Sequence, residues 1–114
     1  MLYLITQFDM DGLDPKAVIE HGSQLNKRLE DQGCKLLMHS EELDFSIFSV
    51  PEKIMKEIRA VCQMFEKYSN EVAYIDFSFD TFTWEDIESS GNFSADFIEA
   101  IRQAEGKGST FSSH

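Results

Sequence analysis

The chain begins with an alternating run. Leu2, Leu4, Thr6 and Phe8 point to one side, and Tyr3, Ile5 and Gln7 to the other. Both sides are largely apolar, which predicts a central strand buried on two faces. The segment Asp9-Met10-Asp11-Gly12-Leu13-Asp14-Pro15 then reads as a turn into a helix. Asp14 is placed to accept from the free N–H groups of the first turn, and Pro15 suits the first helical position. The helix is expected to reach about Gln32, with Val18, Gly22, Leu25 and Leu29 on one stripe and Lys27, Arg28, Glu30 and Asp31 outside it. Gly22 within the stripe suits a close approach to a sheet, and Gly33 stands where a left-handed residue ends a helix.

A second strand is predicted from Cys34 to Ser40, with Cys34, Leu36 and Met38 on one face and Lys35, Leu37 and His39 on the other. A short polar break, Glu41-Glu42-Leu43-Asp44, separates it from a third strand, Phe45 to Val50. The gap is hairpin length, so the two should pair antiparallel. Ser49 and Glu52 carry the spacing of a capping box before the clearest amphipathic helix in the chain, with Ile54, Met55, Ile58, Val61, Cys62 and Phe65 at helical spacing. That helix should end near Tyr68-Ser69-Asn70. The longest strand signal follows, from Glu71 to about Trp84. In it Ala73, Ile75, Phe77 and Phe79 should face the helices, and Tyr74, Asp76, Ser78 and Asp80 should face solvent or a partner. A short helical turn at Thr83 to Ile87 and a modest amphipathic helix from Ser94 to about Ala104 complete the ordered chain, the latter with Phe97, Ile98 and Ile101 on one side. Residues 1–105 are expected to form one α+β domain and residues 106–114 a flexible tail.

The order strand, helix, strand, strand, helix, strand resembles the ferredoxin-like βαββαβ plan: four antiparallel strands with two helices on one face, here with a short C-terminal helical extension. The resemblance is to a topology, one that serves small-molecule sensors, dimeric α+β barrel enzymes, RNA binders and acidic inhibitors of ribonucleases, and so it does not choose a function. RNA-binding members present strand aromatics beside basic residues. Here the corresponding positions carry Asp76 and Asp80.

Charge narrows the field further. The 114 residues include 21 acidic and 10 basic side chains, a formal net charge of −11. Such a field repels nucleic-acid backbones and anionic lipid surfaces and attracts basic protein surfaces. No run approaches the ~20 apolar residues of a membrane span, and the first residues lack the basic start of a secretion signal. The two cysteines, Cys34 and Cys62, have no metal or redox spacing. They read as reduced thiols in a cytoplasmic protein, a Cys34–Cys62 bridge being the less favoured alternative.

The residue types that carry chemistry form no catalytic pattern. Asp9, Asp11 and Asp14 crowd one turn, but the oxygen-donor spacing of a calcium loop fails, and a capped turn at a helix start accounts for them. His21, His39 and His114 make no metal-ligand spacing and read as surface or edge histidines. Cys34 and His39, five apart on one strand, point to opposite faces and make a poor nucleophile–base pair. No serine-nucleophile, phosphate-loop or dinucleotide motif is present. Neither catalytic residues nor a cofactor are therefore expected.

The most informative segment runs from Tyr68 to Ile101, with eight carboxylates, no lysine or arginine, and interleaved aromatics. Negative charge beside aromatic anchors is the make-up of a protein-binding surface. The expected partner-binding residues are Tyr74, Asp76, Asp80, Phe82, Trp84, Glu85, Asp86 and Glu88, on and beside the free sheet face. The leading expectation is a non-enzymatic acidic regulator or inhibitor that docks a basic surface of a partner protein, including that of a nucleic-acid-binding protein. A nucleic-acid mimic that inhibits a nuclease or defence complex is one concrete form. The alternative is a dimeric α+β barrel that binds a small molecule, as an enzyme or a sensor, with His39, Tyr3 and Tyr74 as the polar groups of its pocket. Two structural readings compete with an open docking face: the C-terminal helix folds over it, or two copies of the chain cover it by pairing.

Overall fold

The structure is a computed structural model that describes residues 2–9, 12, 14–40, 44–89, 91 and 93–105. Its elements are β1 (Leu2–Phe8), α1 (Pro15–Asp31), β2 (Lys35–His39), β3 (Phe45–Val50), α2 (Met55–Tyr68), β4 (Phe77–Thr83), α3 (Trp84–Ser89) and α4 (Ala95–Glu105). A 3-10 turn at Glu52–Ile54 leads into α2, and a π-helical turn at Ser69–Ala73 leads out of it. The four strands form one sheet in the order β2-β3-β1-β4, and every neighbouring pair is antiparallel. The protein is thus α+β, and each long helix carries the chain across one intervening strand.

The sequence reading of β1 as a two-faced strand describes the centre of the molecule. On one face Leu4 and Phe8 of β1, Phe48 and Val50 of β3 and Phe77 of β4 meet Val18, Leu25 and Leu29 of α1 and Ile58, Cys62 and Phe65 of α2. On the other, Tyr3, Ile5 and Ile47 meet Ile87 of α3 and Ile101 of α4, with Phe45, Phe82, Trp84, Phe93, Phe97 and Ile98 packed around them. The second face is therefore not open. The C-terminal pair of helices covers it, and the expectation of a free sheet face gives way to a three-layer arrangement of helices, sheet and helices. The physical reason lies in β1 and β3: Tyr3 and Ile47 are fully buried and Ile5 nearly so, and leaving such side chains in water would forfeit about 1.5–3 kcal/mol each.

Local signals behave as their chemistry dictates at both ends of α1. Asp14 Oδ1 accepts from Lys16 N at 3.1 Å, and Pro15 opens the helix. Gly33, with φ of 111°, takes the left-handed turn after the last helical residue, and its N–H donates to Glu30 O. Three boundaries differ from expectation. Ser49 remains in β3, opposite Tyr3 and Lys35, and makes no capping box; Pro51 precedes the 3-10 turn without a side-chain cap. A register shift between Leu36 and Met38 places a bulge in β2, so Met38 joins Leu37 on the second face instead of alternating with it. The β4 signal begins at Phe77, not at Glu71, because the helical path of α2 runs on through the π turn. That turn closes with Tyr74 at φ 55° and ψ 37°, Ile75 N donating to Ser69 O and Phe77 N donating to Asn70 Oδ1. The predicted alternation nonetheless survives: Ile75 and Phe77 are buried in the first core, while Tyr74, Asp76, Ser78 and Asp80 are exposed. Met10, Asp11, Leu13, Glu41 to Leu43 and the expected tail at 106–114 lie outside the described residues.

Because Ile101 is the fully buried side chain of α4, Ile101→Ala should cost about 2–5 kcal/mol of unfolding free energy, read as a lowered denaturant midpoint. A loss below about 1 kcal/mol, the scale of an ordinary surface substitution, would mean that α4 is not docked on the sheet.

Candidate functional site

The expected partner-binding residues fall into three groups. Asp76 and Asp80 are exposed on or next to β4, which is an edge of the sheet, and Glu85, Asp86 and Glu88 are exposed on α3 immediately beyond it. These carboxylates make an acidic margin that two cations interrupt: Arg59, which donates to Thr81 Oγ1 of β4 at 2.8 Å, and Arg102 on Glu88. Two of its members also hold the local structure. Asp86 Oδ2 accepts from Thr83 N and Thr83 Oγ1 accepts from Asp86 N, both at 3.1 Å, a reciprocal cap that starts α3. Glu88 pairs with Arg102 at 2.9 Å and so ties α3 to α4, both side chains being partly exposed. Phe82 and Trp84 are half-buried under the C-terminal helices: Phe82 packs edge-on against Phe93 at 5.5 Å, and Trp84 lies 5.7 Å from Tyr3 and beneath the Arg102 guanidinium. Tyr74 stands apart, 81% exposed, at the end of the π turn.

Between the sheet and α4 the second face leaves a cleft of about 510 Å³. The strand pairing builds its floor: Ile5 lies opposite Asp80, Gln7 opposite Ser78, and Phe45 opposite Gln7 on the other side of β1. Phe82, Phe93, Ser94 and Phe97 form the walls. Ser94 Oγ accepts from Phe97 N and so caps α4. The rings are in mutual contact, Phe93 stacked on Phe97 at 5.3 Å and Phe97 edge-on to Phe45 at 6.0 Å. Sequence reasoning placed Asp80 and Phe82 at a surface but missed this cleft, because the path of α4 over the sheet is set by tertiary packing. The three polar residues of the alternative barrel pocket are dispersed. Tyr3 is buried in the central strand, His39 is exposed at the end of the β2 edge, and Tyr74 precedes the opposite edge.

His21 is not the surface or edge residue that its sequence context suggests. It is 6% exposed, with Phe8, Phe65 and Tyr68 around its ring at 5.6, 4.6 and 5.7 Å, and its Nε2 lies 2.7 Å from Ser69 Oγ. Ser69 is itself fully buried in the π turn, so the pair joins α1 to the segment that aims β4. Burial lowers the His21 pKa from its ordinary 6.5. The fold thus prefers the neutral ring, and its contribution is complete above 6.5 and is lost as pH falls from there toward the folded value. Both cysteines are free and buried, and burial pushes the thiols up to about 11 for Cys34 and about 12 for Cys62. They are poor nucleophiles in the folded state. Among the described residues no group of three or more histidine, cysteine, aspartate or glutamate side chains could hold a metal ion, and no helix is long and apolar enough to cross a membrane.

Two measurements check these environments. Between about pH 7.5 and about pH 5.5, the denaturant midpoint of the native sequence should fall more steeply than that of His21→Gln; parallel curves would place His21 in water. Iodoacetamide at neutral pH should alkylate both thiols at least about 100-fold more slowly in the folded protein than in urea, as followed by mass spectrometry, and equal rates would contradict their burial.

Compared with protein-family models, with curated proteins and with solved structures, the chain matches none.

Proposed function

We propose that this protein acts by binding and not by catalysis: it is an acidic regulator or inhibitor that docks a basic surface of a partner protein. The observation that carries the reading is the margin formed by Asp76, Asp80, Glu85, Asp86 and Glu88, exposed together along β4 and α3 in a stretch without lysine or arginine from Tyr68 to Ile101. These carboxylates, with Arg59 on Thr81 and Arg102 on Glu88 beside them, add to the field of a chain whose formal charge is −11, which raises the on-rate for a cationic surface and repels nucleic acid. An inhibitor that imitates a nucleic-acid backbone toward a nuclease is the concrete form that this charge suits. Phe82 and Trp84 are packed beneath the acidic side chains, and Tyr74, two residues before Asp76, is exposed. The strand order β2-β3-β1-β4, with α1 and α2 together on one face, supports a ferredoxin-like fold to which α3 and α4 add a third layer. Two buried, unbridged thiols support a reducing, cytoplasmic setting.

The test separates local charge from total charge. One variant carries Asp76→Asn and Glu85→Gln, neither of which caps a helix or bridges one to another; the control carries Glu20→Gln and Glu30→Gln on the exposed side of α1. Immobilised protein should capture a basic polypeptide at about 0.05 M salt and release it at about 0.5 M, where screening shortens the reach of charge to a few ångströms. The margin variant should lose most of the capture and the α1 control should keep it. Equal capture by the two variants would remove the margin as the docking site.

A further inference from the structure

We propose that the cleft between the sheet and α4 is a binding site for a small organic cation, an amine or guanidine carried on a flat apolar body. The cleft has the volume of a small-ligand site, about 510 Å³. Its lining sorts into two chemistries. Phe45, Phe82, Phe93 and Phe97 supply a connected aromatic wall, which takes a flat apolar body by stacking and attracts a cation through the ring faces. Among the described residues Asp80 is the one ionisable side chain that lines it, with Gln7, Ser78 and Ser94 as the neutral polar groups.

The register fixes where the charge sits. Asp80 is directly opposite Ile5 in the β1–β4 ladder, on the same face as Ser78 and Phe82, so its carboxylate belongs to the cleft floor. Its Oδ1 accepts from Thr81 N at 2.9 Å, which anchors the carboxylate and leaves the second oxygen to receive a donor. The facing end of α4 does not cancel that charge. Ser94 already caps its first turn, and Asp96 within that turn adds a second negative group. Among the described residues neither lysine nor arginine lines the cleft, so an anionic ligand would meet Asp80 without compensation, whereas a cation gains a charge-assisted hydrogen bond there.

This inference stands apart from the docking margin. The docking test leaves Asp80 in place, and the cleft test uses a small probe with no partner protein, so either can fail alone. The probes are phenethylamine, its neutral counterpart phenethyl alcohol, and the anionic hydrocinnamate, titrated into the uniformly 15N-labelled full chain and followed by amide chemical shifts. Phenethylamine should shift the amides of Gln7, Ser78, Asp80 and Phe93 through Phe97, with an affinity about tenfold above that of the alcohol, and hydrocinnamate should bind most weakly. Asp80→Asn, which keeps an oxygen for the Thr81 N–H, should bring amine and alcohol to equal affinity while the alcohol affinity stays as it was. The proposal is overturned by equal affinities for the two on the native sequence, by preferred binding of hydrocinnamate, by shifts centred outside the cleft, or by no saturable binding of any probe.

Discussion

A strand that is apolar on both faces must be covered twice, and β1 imposes that requirement on everything around it. Leu4 and Phe8 turn toward α1 and α2, while Tyr3 and Ile5 turn the other way. The first cover is built by the two crossover helices. The second requires elements that the βαββαβ order does not contain, and α3 and α4 supply it with Ile87 and Ile101 as their buried contacts. The Glu88–Arg102 pair and the packing of Arg102 over Trp84 join those two short helices at the surface. Exposed pairs of this kind add little to stability, so the hydrophobic contacts hold the layer and the polar ones fix its orientation.

The same two-sided burial explains why the aromatic residues of β4 and the segment beyond it serve different purposes. Phe77 and Phe79 complete the first core, where the Phe77 ring lies tilted against Phe8 at 4.9 Å and edge-on to Phe65 at 5.3 Å. Phe82 and Trp84 complete the second. The proposed docking margin is therefore mainly charged surface, while Phe82 lines the separate cleft under α4.

Much of this architecture is legible in the order of residues. Alternation in Leu2–Phe8 and Phe45–Val50 and the helical stripes of α1 and α2 reflect local periods of 2 and 3.6, which survive in any tertiary setting. Asp14, Pro15 and Gly33 declare the ends of α1 for equally local reasons. What is not legible depends on distant neighbours. Ser49 and Glu52 have the spacing of a cap, yet pairing with Tyr3 and Lys35 keeps Ser49 in the sheet. The bulge at Leu36/Met38 is a register choice between two strands. His21 reads as a surface or edge residue, yet Phe8, Phe65 and Tyr68 enclose its ring and Ser69, 48 residues away, meets its Nε2. The cleft belongs to the same class, since its walls come from β1, β3, β4 and α4.

The edges of the sheet complete the argument about partners. An exposed edge strand offers unpaired backbone groups to any second strand, including that of another copy. The order β2-β3-β1-β4 leaves β2 and β4 as the two edges. The first is distorted by its bulge. The second carries Asp80, with Asp76 just before it, and pairing two β4 edges would bring like carboxylates together at a cost. An acidic edge next to an acidic helix would work against pairing of two copies through β4 and in favour of the proposed cationic partner.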